Sequence, residues 1–438
     1  MAASRRGPFI LYLRTNGIRL TSLLSSASMT QPPIHAPMSQ FAVRDGELLV
    51  NGWPLRRLAE RVGATPFYAY DRGLLRARAA ELRAALPAAV KLHYAMKANP
   101  MPALVALMAQ LVDGIDVASA GELRVALDAG ADPREISFAG PGKREAELRQ
   151  AVAAGVLLNV ESERELALLP GIAQSLGLPA RVALRVNPDF ELKGSGMRMG
   201  GGAKPFGIDA ERLPALLGTL GREGLAFEGF HLFAGSQNLK AEAICEAQRL
   251  SYELALRLSE HAPAPVRCLN LGGGFGIPYF PGEQRLALGP IAENLQRLAE
   301  RAARELPQAA LVLELGRYLV GEAGVYVARV LERKVSRGQV FLITDGGLHH
   351  HLAASGNFGQ VLRKNYPAAI GTRMDAPAAE SVSVVGPLCT PLDLLAERMA
   401  LPEAGEGDLV VVFQSGAYGA SASPQGFLSH PGCLEVLV

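Results

Sequence analysis

His93-Tyr94-Ala95-Met96-Lys97-Ala98-Asn99-Pro100 is an apolar stretch that ends on a lysine and then turns. Its pattern predicts a short strand over 92–96, with Asn99-Pro100 closing the turn behind it. Burial at such a strand end favours the neutral amine over the ammonium. A neutral amine is what Schiff-base chemistry requires of a lysine. A solvated lysine on a loop is the alternative, and these eight residues alone do not separate the two.

The residues on either side do more. From Lys91 onward, short apolar runs alternate with stretches of helical spacing. Strands are expected over 92–96, 115–118, 136–139, 157–160, 182–186, 227–233, 267–271 and 311–314, with helices such as 121–130 and 144–154 between them. Eight strand–helix units point to a (β/α)8 (TIM) barrel, and a doubly wound sheet is the competing reading. After Arg317 the texture changes. Strands are expected over 325–330, 340–344, 382–385 and 409–413, separated by Gly and Pro, as in a second, mostly β C-terminal domain. Upstream, 41–58 reads as a hairpin, 65–70 as a strand, and Asp71 as the cap of a helix reaching Leu86. The expected division is an arm over 1–40, a hairpin over 41–62 that joins the β domain, a barrel over 63–317 and the β domain over 318–438.

Bulk properties narrow the function. The chain has 438 residues, is 49% hydrophobic and 20% charged, and carries a net charge of +2, without the basic stripe of a nucleic-acid binder. Cys245, Cys268, Cys389 and Cys433 form no CxxC pair, which argues against structural zinc or a disulfide framework and fits a reducing compartment, the cytoplasm. No metal is expected. No apolar run approaches the roughly 20 residues of a membrane span. Met1 to Arg44 lacks Asp and Glu but contains Arg5, Arg6, Arg14 and Arg19. A transit peptide and a true start at Met29 or Met38 are both open; the second is preferred, with the arm disordered.

Several stretches can carry chemistry. Leu271-Gly272-Gly273-Gly274-Phe275-Gly276 follows the seventh expected strand, where glycines let backbone amides approach a phosphate; a tight turn without a ligand is the plainer reading. Glu314 ends the eighth, and Arg317 is either its ion-pair partner or a phosphate ligand. Asp116 and Ser119 fall at the rim of the barrel, Ser119 equally as a helix cap. His231 and Phe233 share one face of the sixth strand, a position that also suits a core histidine. Cys389, after Gly386-Pro387, is a catalyst or a small buried hydrophobe.

YAMKANP, DVASAGE, RVNP, GFHLFAGSQ, LGGGFGIPY, ELGR, GPLC and GAYG occur in that order. The series resembles the fold-type III pyridoxal-phosphate decarboxylases, the diaminopimelate, ornithine and arginine decarboxylase family, from about Phe41 to Val438. The resemblance implies a cofactor, pyridoxal 5'-phosphate, bound by Lys97 as a Schiff base. It implies phosphate contacts from Gly272, Gly273, Gly274, Gly276, Ser236 and Arg317, and Glu314 at the pyridine nitrogen. Asp116, Ser119, Glu122 and Arg185 take positions in or just behind the site, and Tyr418 reaches the cofactor. Cys389 protonates the substrate carbon after carbon dioxide leaves, and in the family it comes from the partner subunit of a homodimer.

The departures bear on substrate. Diaminopimelate enzymes usually read HIGSQ, with the His stacked on the cofactor ring; here Phe233 takes that place, with His231 two residues earlier. Leu315 replaces the proline of EPGR, and Phe427 a tyrosine. An acidic residue usually follows the cysteine and meets the substrate's distal amine, but here Thr390 and Pro391 follow. An unpaired buried ammonium costs about 1–3 kcal/mol or more. meso-Diaminopimelate is therefore not the expected substrate. The FAGSQ and LCTP wording is similar to decarboxylases of exosortase-linked exopolysaccharide clusters and to those acting on carrier-protein-linked amino acids. The expected partner is thus a small amino acid or an aminoacyl carrier protein. Diaminopimelate decarboxylase proper, a racemase and a cofactor-binding regulatory protein are the alternatives; Glu314 speaks against the racemase, and the second domain with Cys389 against the regulator.

Overall fold

Eight parallel strands close on themselves: β1 (Val90–Ala95), β2 (Gly114–Val117), β3 (Ile136–Phe138), β4 (Leu157–Val160), β5 (Ala180–Asn187), β6 (Leu225–Leu232), β7 (Cys268–Gly273) and β8 (Ala310–Leu315). Each pairs with the next, and β8 returns to β1 with Glu314 opposite His93. Closure decides for the barrel over the doubly wound sheet. This computed structural model describes residues 34–190, 197–198, 200–218, 220–221 and 224–438. Most of the expected arm lies outside them. Among the described residues, no helix is long and apolar enough to cross a membrane.

Local chemistry sets the helix starts. Asp71 accepts from Leu74 N–H to open the helix Arg72–Ala85, Ser119 from Glu122 N–H to open Ala120–Asp128, and Ser162 from Glu165 N–H to open Glu163–Leu176. Capping is therefore the role Ser119 shows. The hairpin expected over 41–58 is only half right. Asp45-Gly46 and Asn51-Gly52 turn a three-stranded meander through left-handed φ values, but Leu55–Val62 is a helix.

Beyond the barrel run β9 (Gly324–Ser336), β10 (Gln339–Thr344), β11 (Ala368–Ile370), β12 (Glu380–Val385), β13 (Leu394–Leu401), β14 (Leu409–Val412) and β15 (Leu434–Leu437). They form a sheet in the order β11-β14-β9-β10-β12-β13. The strand Phe67–Tyr70, expected at the start of the barrel, instead lies antiparallel to β9 and parallel to β15. Its alternate side chains explain this. Phe67 and Ala69 join Leu48, Val50, Leu55, Leu58, Val325, Val327, Val411 and Phe413 in one buried cluster. Each large side chain there contributes about 1.5–3 kcal/mol of burial, which ties the N-terminal meander to this sheet.

Candidate active site

Lys97 lies in a single 3-10 turn, Met96–Ala98, at the C-terminal end of β1, the end where barrel sites are built. Met96 and Ala98 are buried, whereas the Lys97 side chain is 41% exposed. The burial expected of it from the apolar strand is not found, because the turn swings the residue out of the core into a small pocket. That pocket is also lined by Phe233, Ser236, Gly274, Glu314, Arg317 and Tyr418. Two bonds hold the turn from the β region: Tyr418 N–H donates to Ala98 O at 2.7 Å, and Asn99 Nδ2 to Gly416 O at 3.0 Å.

Glu314 is the penultimate residue of β8, buried, with Oε1 3.9 Å from Lys97 Nζ. Its other oxygen is 2.9 Å from His231 Nε2. Burial pushes the Glu314 carboxyl up, but the His231 hydrogen bond and the charges of Lys97 and Arg185 outweigh it and hold the carboxyl below its ordinary value. An ionised carboxylate only accepts, so His231 Nε2 carries the proton. The Glu314–Arg317 ion pair considered from the sequence does not form. Arg317 Nη1 donates instead to Tyr279 Oη at 2.9 Å, and its guanidinium lies 4.6 Å from the Tyr418 ring centre. Among the described residues, Arg317 Nε has no hydrogen-bond partner. Phe233, just past the end of β6, is 5.4 Å from Lys97 Nζ by its ring centre.

The glycine loop is as tight as its composition suggests. Gly274 has φ +73°, and a Cβ there would sit 2.2 Å from Gly235 O. At Gly273 it would sit 2.0 Å from Glu314 O, and at Gly272, φ +68°, 2.7 Å from Leu232 O. Gly276 would meet Asn238 O at 3.0 Å. The amides of Gly272 and Gly276 are already taken, by Asn270 Oδ1 and Asn238 O. Those of Gly274 and Phe275 are the loop's candidate anion donors. Tyr418 adopts φ +54°, a conformation that costs a bulky residue about 1–3 kcal/mol and concentrates at functional sites.

Other expected residues lie behind the pocket or away from it. Asp116 is buried inside the barrel, accepting from Ser137 Oγ at 2.6 Å and 3.1 Å from His93 Nδ1. Burial pushes the His93 imidazole down, but the Asp116 charge and hydrogen bond outweigh it and leave it raised. Arg185 Nη1 is 2.8 Å from Glu161 Oε1, and its guanidinium lies over Phe206. Glu122 turns back on its own cap to accept from Ala118 N–H at 2.6 Å. Cys389 is exposed on the loop between β12 and β13 and does not line the Lys97 pocket. The buried-hydrophobe reading is thereby set aside. Sequence reading gave no role to Tyr279, although it closes the LGGGFGIPY stretch, nor to Glu161, whose only signal is its place one residue past β4.

The pyridoxal binding domain of the pyridoxal-dependent decarboxylases matches residues 72–321. The chain is 40% identical over 379 residues to the L-glutamyl-[BtrI acyl-carrier protein] decarboxylase of Niallia circulans, covering 85% of this chain and 88% of that protein. It belongs to the pyridoxal-dependent decarboxylases. Similarity extends to the diaminopimelate decarboxylase of Aquifex aeolicus, 34% identical over 90% of this chain and 91% of that one. It extends also to the solved diaminopimelate decarboxylase of Helicobacter pylori complexed with L-lysine: TM-score 0.76, 29% identity, 87% of this chain and 94% of that one. The protein is a pyridoxal-phosphate-dependent amino-acid decarboxylase with a TIM barrel and a mostly β second domain. Its pocket suits the cofactor, offering a lysine amine, a buried carboxylate, a cradle closed to any Cβ and an orphaned guanidinium nitrogen for a phosphate.

Proposed function

We propose that this decarboxylase acts on an amino acid with no free distal ammonium, presented as an aminoacyl group on a carrier protein. One observation carries the reading: among the described residues lining the pocket, Glu314 is the only carboxylate, and it is engaged by His231 and Lys97. A distal ammonium would find no free partner there, and Cys389 is followed by Thr390 and Pro391 rather than by an acid. The 40% identity to a relative named for a carrier-protein-linked glutamyl substrate supports the same class.

In this reading Lys97 anchors the cofactor aldehyde. Ser236, Arg317 and the Gly274 and Phe275 amides would hold its phosphate, with Gly272, Gly273 and Gly276 keeping the loop tight and Tyr418 beside Arg317. Phe233 would lie against the ring and Glu314 would keep a proton on its nitrogen, the carboxylate held ionised by His231 and by the charges of Lys97 and Arg185, with Asp116 deeper in the barrel on His93 and Ser137. The bound cofactor supplies an electron sink for the pair released as the α-carboxyl leaves as carbon dioxide. A homodimer with shared sites would bring Cys389 of the partner subunit over this pocket; its exposure and its absence from the lining of its own pocket support that arrangement. Four free cysteines are consistent with a reducing compartment, and we place the enzyme in the cytoplasm.

The test is carbon dioxide release by the holoenzyme. Meso-diaminopimelate, ornithine, arginine, lysine and glutamate are offered free, beside a glutamyl-charged acyl carrier protein. Release from the charged carrier alone is expected. Efficient turnover of meso-diaminopimelate would overturn the substrate reading.

A further inference from the structure

Cys389 follows Leu388 directly, and Leu388 N–H donates to Asp393 Oδ2 at 2.8 Å. The other oxygen of the same carboxylate accepts from Leu348 N–H at 2.6 Å. One side chain thus fastens two turns that are 40 positions apart in sequence. Asp393 is only 3% exposed, and two glycines make room for it. A Cβ at Gly347 would sit 2.1 Å from Asp393 Oδ1, and one at Gly386 2.4 Å from Asp393 Oδ2. Its backbone closes the same loop, since Gly386 N–H donates to Asp393 O at 3.2 Å.

The Leu348 turn is itself fixed. Tyr68 Oη donates to His350 O at 2.7 Å, His351 Nε2 is 2.9 Å from Ser415 Oγ, and His349, His350 and His351 are all buried. A rigid point in the core therefore holds, through one carboxylate, the residue next to an exposed thiol. Burial and not a cationic neighbour is the leading influence on Asp393, raising its carboxyl, and the two amide donors work against it. Nothing about its contacts calls for a surface role.

We infer that Asp393 is a positioning residue for Cys389, holding the thiol where it can hand its proton to the substrate's α-carbon. In that step the S–H bond breaks and a Cα–H bond forms. The thiolate then regains a proton from water as product leaves. The inference rests on the reading of Cys389 as that donor, and it adds the device that aims it. Misplacing a reacting group by about 1 Å can cost about a hundredfold in rate.

The experiment compares wild-type holoenzyme with Asp393→Asn, Gly386→Ala, Cys389→Ala and the two double variants carrying Cys389→Ala. Gly386→Ala keeps the carboxylate but crowds it, so it serves if Asp393→Asn folds poorly. Two quantities are read: turnover, and the rate at which iodoacetamide alkylates Cys389, followed by peptide mass spectrometry. Asp393→Asn and Gly386→Ala should each lower kcat about tenfold or more with little change in KM, and shift Cys389 alkylation about threefold or more. In the Cys389→Ala background neither should lower kcat further, the non-additivity expected of residues acting through one group. Equal losses in that background, or unchanged alkylation, would overturn the inference. Wild-type turnover by Cys389→Ala would instead overturn the donor reading, while the alkylation rates would still decide whether Asp393 sets the thiol.

Discussion

Replacing His231 with Phe keeps the volume of the side chain and removes the donor to Glu314 Oε2, now 2.9 Å away. The carboxylate stays buried, and the charges left to oppose that burial are Lys97, at 3.9 Å with a 41% exposed side chain, and Arg185, itself paired with Glu161. A hydrogen bond to a buried charged group contributes about 1.5–3 kcal/mol, and a solvent-screened partner at that distance returns less than about 1 kcal/mol. The net loss expected at pH 7 is thus about 2 kcal/mol. The sign of its pH dependence follows from Glu314. In the wild type its folded-state pKa is depressed. Its contribution is therefore present above the unfolded value of about 4.3 and fades as pH falls through the lower folded one. Without His231 burial is opposed only by the charges of Lys97 and Arg185, so the carboxyl titrates at higher pH, and the gap closes only as pH falls towards the wild type's folded value of about 2. Urea unfolding of the cofactor-free protein between pH 7 and pH 2 should show a gap between wild type and His231→Phe that is large at pH 7, largely kept at pH 4 and small near pH 2. His231→Gln, which can still donate, should recover part of it. A gap as large near pH 2 as at pH 7, or none at pH 7, would refute this account of how Glu314 stays ionised.

Lys97→Ala should abolish both turnover and the visible absorbance of protein-bound cofactor after gel filtration; absorbance that persists would remove Lys97 as the anchor. Gly274→Ala puts a methyl 2.2 Å from Gly235 O at φ +73° and should weaken cofactor binding about tenfold or more in a fluorescence titration, with thermal unfolding lowered as well. Tyr279→Phe removes the acceptor of Arg317 Nη1 and should raise the cofactor Kd severalfold, by about 1 kcal/mol, while leaving the apoenzyme's thermal midpoint within a few degrees.

Periodicity made the barrel legible. All eight strand cores fall where apolar runs interrupt helical spacing, because strands buried on both faces read as short continuous apolar stretches. The site was legible where a residue type has few other uses: Lys97, the glycine run, Glu314 and Arg317 all come to one pocket. What stayed hidden depends on contacts across the chain. Leu394–Leu401 is composed of Leu, Ala, Glu, Arg and Met, which favour helix, yet it pairs with β12 as a strand. Phe67–Tyr70 reads as an ordinary strand, and only its buried face shows that it completes the distal sheet. The partner of Glu314 stayed open in the sequence for the same reason. Arg317 is three residues away in sequence, but His231, two strands away on β6, is the group within reach.

The bonds from Ala98 and Asn99 to Tyr418 and Gly416 also set an order of events during synthesis. Asn99 and Gly416 are 317 positions apart, so the ribosome has long since released Lys97 when the loop that steadies its turn emerges. The barrel's strands can assemble earlier, but the lysine waits in an unsupported turn, and Arg317 waits for the ring of Tyr418. Capture of the cofactor is therefore a late step, and nascent chains halted before residue 416 should remain colourless however complete their barrel.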